Sequence, residues 1–151
     1  MKSLTQHINE KLVLTKKLNK HTLFPETKEE LVDMIKDEIS KNGNECSLNH
    51  IDVSQITDMS KLFYNSRFNG DISQWDVSNV EDMNSMFESA ESFNQPIGDW
   101  DISKVKNMGY MFWSANKFNQ DISKWRINRE CRIIAMFGYC PIGEKYKPKL
   151  L

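Results

Sequence analysis

IGDWDISKVKNMGYMF, from Ile97 to Phe112, sets a tryptophan, two methionines and a phenylalanine among Asp, Lys, Asn and Gly. The same spacing occurs three more times without an internal gap: LNHIDVSQITDMSKLF from Leu48, ISQWDVSNVEDMNSMF from Ile72 and ISKWRINRECRIIAMF from Ile122. Trp75, Trp100 and Trp125 lie 25 residues apart, and the first spacing, from Leu48 to Ile72, is 24. The segments between units read RFNGD, SFNQP and KFNQD, so Phe68, Phe93 and Phe118 are each followed by an Asn. A fixed period of this length is sought before any helix or strand is assigned, because it governs the fold.

Within a unit, Ile-x-x-Trp-x-Val matches the strand template of leucine-rich repeats, and two-residue alternation puts Trp75 with Val77, and Trp100 with Ile102, on one face. Val80, Met83, Met86 and Phe87 then follow at i, i+3, i+6 and i+7, the spacing of one face of a short helix. Ser78 with Glu81 gives a capping-box signature, and Ser54, Ser103 and Asn128 hold the same place in the other units. One such unit cannot bury its own apolar stripe, so at least about three must share a core. The expected fold is therefore α/β: a leucine-rich-repeat solenoid of about four 24–25-residue strand–helix turns with an N-terminal helical cap. The inward methionines are expected as core filler, and Asn69, Asn94 and Asn119 as a structural ladder between turns.

The flanks divide the chain further. Residues 1–24 form an amphipathic and then basic segment, with Leu4, Ile8 and Leu12 followed by Lys16, Lys17 and Lys20. Residues 25–44 read as a helical cap: Thr27 and Glu30 make a capping box, Leu31, Met34, Ile35 and Ile39 form the apolar stripe, and Gly43 ends it. The repeats occupy 45–142, and 143–151 is a lysine-rich C-terminal tail.

Composition excludes several classes of function. Lys and Arg number 20 against 21 Asp and Glu, so nothing in the net charge calls for a polyanion, and no nucleic-acid partner is expected. No apolar run reaches the roughly 18 residues of a membrane span, and MKSLTQHINEKLVLTKK lacks the pattern of a classical secretion signal. The expected location is the cytoplasm or a virion. Cys46, Cys131 and Cys140 have no CxxC spacing and read as reduced thiols, although Cys131 and Cys140 could pair. His7, His21 and His50 have no metal-ligand spacing, and no nucleophile motif or phosphate-binding glycine loop occurs. No catalytic residue, cofactor or metal is expected.

The motifs FNQDIS-W, WDVSNV-DM and MF, over about Gly43 to Phe137, resemble the BspA-like leucine-rich repeats first grouped as a mycoplasma domain of unknown function. The segment before them resembles the cap that introduces such repeats in proteins of gut bacteria and their phages. The resemblance implies a right-handed solenoid with parallel strands on one face, used to bind proteins or surfaces, and it brings no catalytic residues. Val80 and Val105 stand where standard leucine-rich repeats keep an Asn.

Exposed positions of the expected strands form two columns, His50, Gln74, Asp99 and Lys124 in one, and Asp52, Asp76, Asp101 and Arg126 in the next. This face is the candidate partner-binding site of a non-enzymatic protein–protein interaction module. Two other readings use the same features: a structural component of a phage or homomeric assembly docked by the N-terminal segment, and an inhibitor of a bacterial host enzyme. Copies of the chain could also associate through the array ends or the N-terminal segment.

Overall fold

A computed structural model describes residues 3, 5–6 and 21–150. The amphipathic segment and lysines expected between residues 7 and 20 lie outside these. The helix α1 (Lys28–Asn42) forms where the cap was expected. Thr27 accepts a 3.2 Å bond from the Glu30 backbone N–H, and the Glu30 carboxylate accepts one from Glu26 N–H at 2.8 Å. Gly43, at φ 84°, closes the helix with an N–H bond to the Ile39 carbonyl. Leu31 and Ile35 are its buried face, with Met34 and Ile39 packed beside them.

The expected leucine-rich-repeat solenoid of strand–helix turns is overturned. Across residues 21–150 α1 is the one α-helix, and the regular strands are β1 (Arg126–Ile127) and β2 (Lys149–Leu150), paired in parallel with Arg126 opposite Lys149. The 48–140 region is a succession of turns joined by isolated parallel bridges, Asp58–Asp82, Asp82–Asn107 and Asn107–Arg132.

The physical reason lies in where the N–H groups go. A helix over Val80–Phe87 would spend each N–H on the carbonyl four residues back. Here alternate N–H groups leave the unit: Met83, Ser85, Phe87 and Ser89 donate to the carbonyls of Asn107, Gly109, Met111 and Trp113 at 2.7–2.9 Å. The residues between them close three-residue turns instead, such as Met86 to Met83 and Glu88 to Ser85. The same scheme joins Met59–Asn65 to Asp82–Glu88, and Met108–Ser114 to Arg132–Gly138.

This alternation requires eight non-glycine residues at positive φ, two per unit: Lys61 and Asn65, Ser85 and Ser89, Tyr110 and Ser114, Ala135 and Tyr139. Each costs on the order of 1 kcal/mol relative to right-handed backbone. Two hydrogen-bonding sets and a shared core offset that cost.

The expected strand segments also begin as turns, Trp75 N–H bonding Ile72 O, Trp100 N–H bonding Ile97 O and Trp125 N–H bonding Ile122 O, and only the last runs on into a strand, β1. Each indole N–H reaches back to the preceding unit, to Leu48 O (2.9 Å), Ile72 O (3.3 Å) and Ile97 O (3.2 Å). The core is one continuous cluster in which Trp75, Trp100, Trp125 and the methionines 59, 83, 86, 108, 111 and 136 are buried. Phe63, Phe87, Phe112 and Phe137 stack face to face with centroids 5.5–5.8 Å apart. Asn94 N–H bonds Asn69 Oδ1, Asn119 N–H bonds Asn94 Oδ1 and Gly143 N–H bonds Asn119 Oδ1, all at 2.9–3.0 Å. That is the asparagine ladder expected from the sequence.

Close packing leaves two glycines no alternative: a Cβ on Gly70 would sit 1.8 Å from the Cys46 carbonyl oxygen, and one on Gly98 2.3 Å from the Asp121 carbonyl oxygen.

Candidate functional site

Aspartates position the surface turns. Asp52, Asp76 and Asp101 each accept the N–H of the serine two residues on, at 3.0–3.1 Å, a local turn that short acidic side chains favour. The serines expected as helix N-caps, Ser54, Ser78 and Ser103, are the donors of these turns instead. Asp58, Asp82 and Asn107 repeat the device, as do Asp71 and Asp121.

An N–H or O–H bond to a carboxylate favours its ionised form. For Asp101 and Asp121 the Ser103 and Ser123 bonds hold the carboxyl below its ordinary range. At Asp52 and Asp58 burial pushes upward, but the bonds from Ser54 and Ser60, with His21 and Lys28 nearby, carry the balance downward. Burial raises all three thiols, Cys46, Cys131 and Cys140. Cys131 Sγ faces the Arg132 carbonyl and Cys140 Sγ the Phe118 carbonyl, and both remain free.

Two of the eight expected site residues are held by partners outside the repeated units. His50 is drawn to α1, its Nε2 3.3 Å from Glu38 Oε2, and Asp52 lies 3.8 Å from His21 Nδ1. Of the other six, Gln74, Asp99 and Lys124 sit in turns, Asp76 and Asp101 in the chain between turns, and Arg126 in β1. Gln74, Asp99 and Lys124 line one open groove of about 370 Å³, with Gln120 and Asp121. Asp101, Lys124 and Arg126 line a smaller one over Trp100 and Trp125. Asp76 lies outside both, bonded to Ser78 through backbone and hydroxyl. Lys124 Nζ is 3.5 Å from Asp99 Oδ1, and both side chains stand almost free of the protein, 79% and 90% exposed.

Two neighbouring pairs escaped the sequence reading: Lys106 Nζ to Glu81 Oε2 at 2.6 Å, and Lys104 Nζ to Asn79 Oδ1 at 2.7 Å. Applying the 25-residue spacing to polar as well as apolar positions would have found both, since each pair is separated by that number. An exposed aromatic cluster was also missed, in which Tyr110 and Tyr139 meet Trp113 edge to face at 5.7 and 5.0 Å.

Among the described residues no group of three or more His, Cys, Asp or Glu is arranged to hold a metal ion, and no helix is long and apolar enough to cross a membrane. No curated protein and no solved structure matches the chain. The family model described as "Mycoplasma protein of unknown function, DUF285" matches residues 29–145, from the first turn of α1 through the last unit and into the tail, and the chain belongs to that family.

Proposed function

We propose that the protein is a non-enzymatic interaction module that binds another protein through the grooved face carrying Gln74, Asp99, Asp101, Lys124 and Arg126. The observation that carries this reading is the Asp99–Lys124 pair. Most surface aspartates have a structural task in a turn, whereas Asp99 and Lys124 form an exposed ion pair at the edge of two grooves, with Asp121 the further charge beside Lys124. An exposed pair of this kind adds at most about 1 kcal/mol to folding, so stability alone gives it little purpose. Opposite charges at the rim of a docking face steer and orient a partner. Kinship to BspA-like proteins of bacteria or their phages belongs to this proposal and rests on the repeated motifs.

The test is charge reversal. A partner is isolated by affinity capture, and direct binding is then measured with Asp99→Lys, Lys124→Glu and the double variant. Each single reversal is expected to weaken binding at least about tenfold with unchanged near-UV circular dichroism. Equal affinity for all four proteins would refute the assignment of this face.

A further inference from the structure

The direction of the backbone bonds leaves the last unit chemically incomplete. Met108, Tyr110, Phe112 and Ser114 donate to the carbonyls of Arg132, Ile134, Met136 and Gly138. The groups that would donate onward in the same register are the N–H groups of Ile133, Ala135, Phe137 and Tyr139. Among the described residues these four donate to nothing.

The surface around them is apolar and uncovered. Phe63, Phe87 and Phe112 are at most 2% exposed, but Phe137, last in the stack, is only partly buried. Ile134 is 56% and Tyr139 78% exposed. The tail covers the other half of this end, where Tyr146 O accepts from Ile122 N–H and β2 pairs with β1.

Charge selects the occupant. Residues 124–150 hold seven Lys or Arg against two carboxylates, a formal side-chain charge of +5. At the opposite end, residues 26–45 hold seven carboxylates against three lysines, −4. There α1 exposes Glu29 and Asp33 on its outer face, with exposed Glu26 just before its cap, and Glu29 and Asp33 have no charge partner among the described residues. Phe24, 54% exposed, lies just before the helix.

The geometry points to head-to-tail association of two copies, the acidic α1 face of one seated on the open N–H edge at Ile133–Tyr139 of the other. Carboxylates are the acceptors a row of free N–H groups takes best, and the basic end attracts them over distance. Phe24 meets Ile134 and Tyr139 as the apolar part of the contact. Because the two surfaces differ, each added copy presents the same two ends again, so association continues as an open chain unless it closes into a ring. This surface is separate from the Asp99–Lys124 grooves and does not depend on them.

Two single-sided variants test it. Ile134→Glu with Tyr139→Glu repels the acidic helix from the edge, and Glu29→Gln with Asp33→Asn strips the helix of its carboxylates, all at exposed positions. By light scattering at low salt, wild type is expected to grow in mass with concentration, each variant to stay monomeric, and their equimolar mixture to form a dimer that stops at two copies. Amide exchange at Ile133, Ala135, Phe137 and Tyr139 is expected to slow as wild type associates. The proposal is overturned by wild type that stays monomeric to about 1 mM, by variants that associate as wild type does, or by a mixture that stays monomeric. Protection of those amides in the monomer also overturns it, assigning the edge to another part of the same chain.

Discussion

The two ends of the stack are built from the same kind of unit yet finish differently. At the N-terminal end α1 lays Leu31 and Ile35 on the core, and residues 22–23 bond to His50 O and Asp52 N–H, so Phe63 is sealed. At the C-terminal end a short tail with two bridge pairs and Tyr146 covers about half, and Phe137 remains partly open. The unpaired backbone groups differ as well. Toward α1 they are the carbonyls of Asp58, Ser60, Leu62 and Tyr64, which accept no bond among the described residues; toward the tail they are N–H groups. Orphan carbonyls are tolerated better than orphan N–H groups. A peptide has a direction, so a stack of like units cannot have like ends.

The sharpest way to break this comparison is at the better-sealed end. Leu31→Ala empties a fully buried position and is expected to cost about 3–4 kcal/mol, read as a lower midpoint in urea unfolding. Gly70→Ala, near the same end, puts a methyl against the Cys46 carbonyl and is expected to cost about 3 kcal/mol, because backbone must move. The contrasting substitution is Gly138→Ala at the open end. There the obstacle is the Trp113 ring, 2.1 Å from the new Cβ, and that ring lies beside exposed Tyr139 and can turn aside. The expected loss is about 1–2 kcal/mol, and a loss equal to that of Gly70→Ala would show the two ends to be equally rigid.

Acid sharpens the comparison least. Asp52 and Asp58, beside α1, have depressed folded-state pKa values, so their contribution is complete above the ordinary carboxylate range, near pH 4, and disappears as pH falls through the folded values. Asp58→Asn is expected to flatten the fall of stability below pH 4 by less than about 1 kcal/mol, since the side chain is half exposed. An unchanged acid-unfolding curve would remove Asp58 from the account.

How much of this could be read beforehand depended on locality. α1 was legible because Thr27, Glu30 and Gly43 act on their own neighbours. The buried set was legible because Trp, Met and Phe recur at fixed spacing. The elements carrying them were not. Apolar residues at i, i+3, i+6 and i+7 suit a row of three-residue turns as well as a helix, and the sequence pattern is blind to whether an N–H bonds four residues back or 24 ahead. Aspartate two residues before serine held the missing clue, since repeated turns of that type interrupt extended chain. Of the expected site, Asp99 and Lys124 meet because both obey the 25-residue spacing. His50 and Asp52 escape it because their partners, Glu38 and His21, lie outside the units.

The paired left-handed residues of each unit change what a mutational scan of this surface would record. Lys61 and Asn65 are exposed, where most replacements are ordinarily silent. At these two sites valine or isoleucine would be penalised for backbone shape rather than for lost packing, Lys61 giving up only its 5.9 Å approach to the Tyr64 ring, while glycine, normally a weakening choice, would be welcome. Such a profile would mimic burial at positions that water reaches freely.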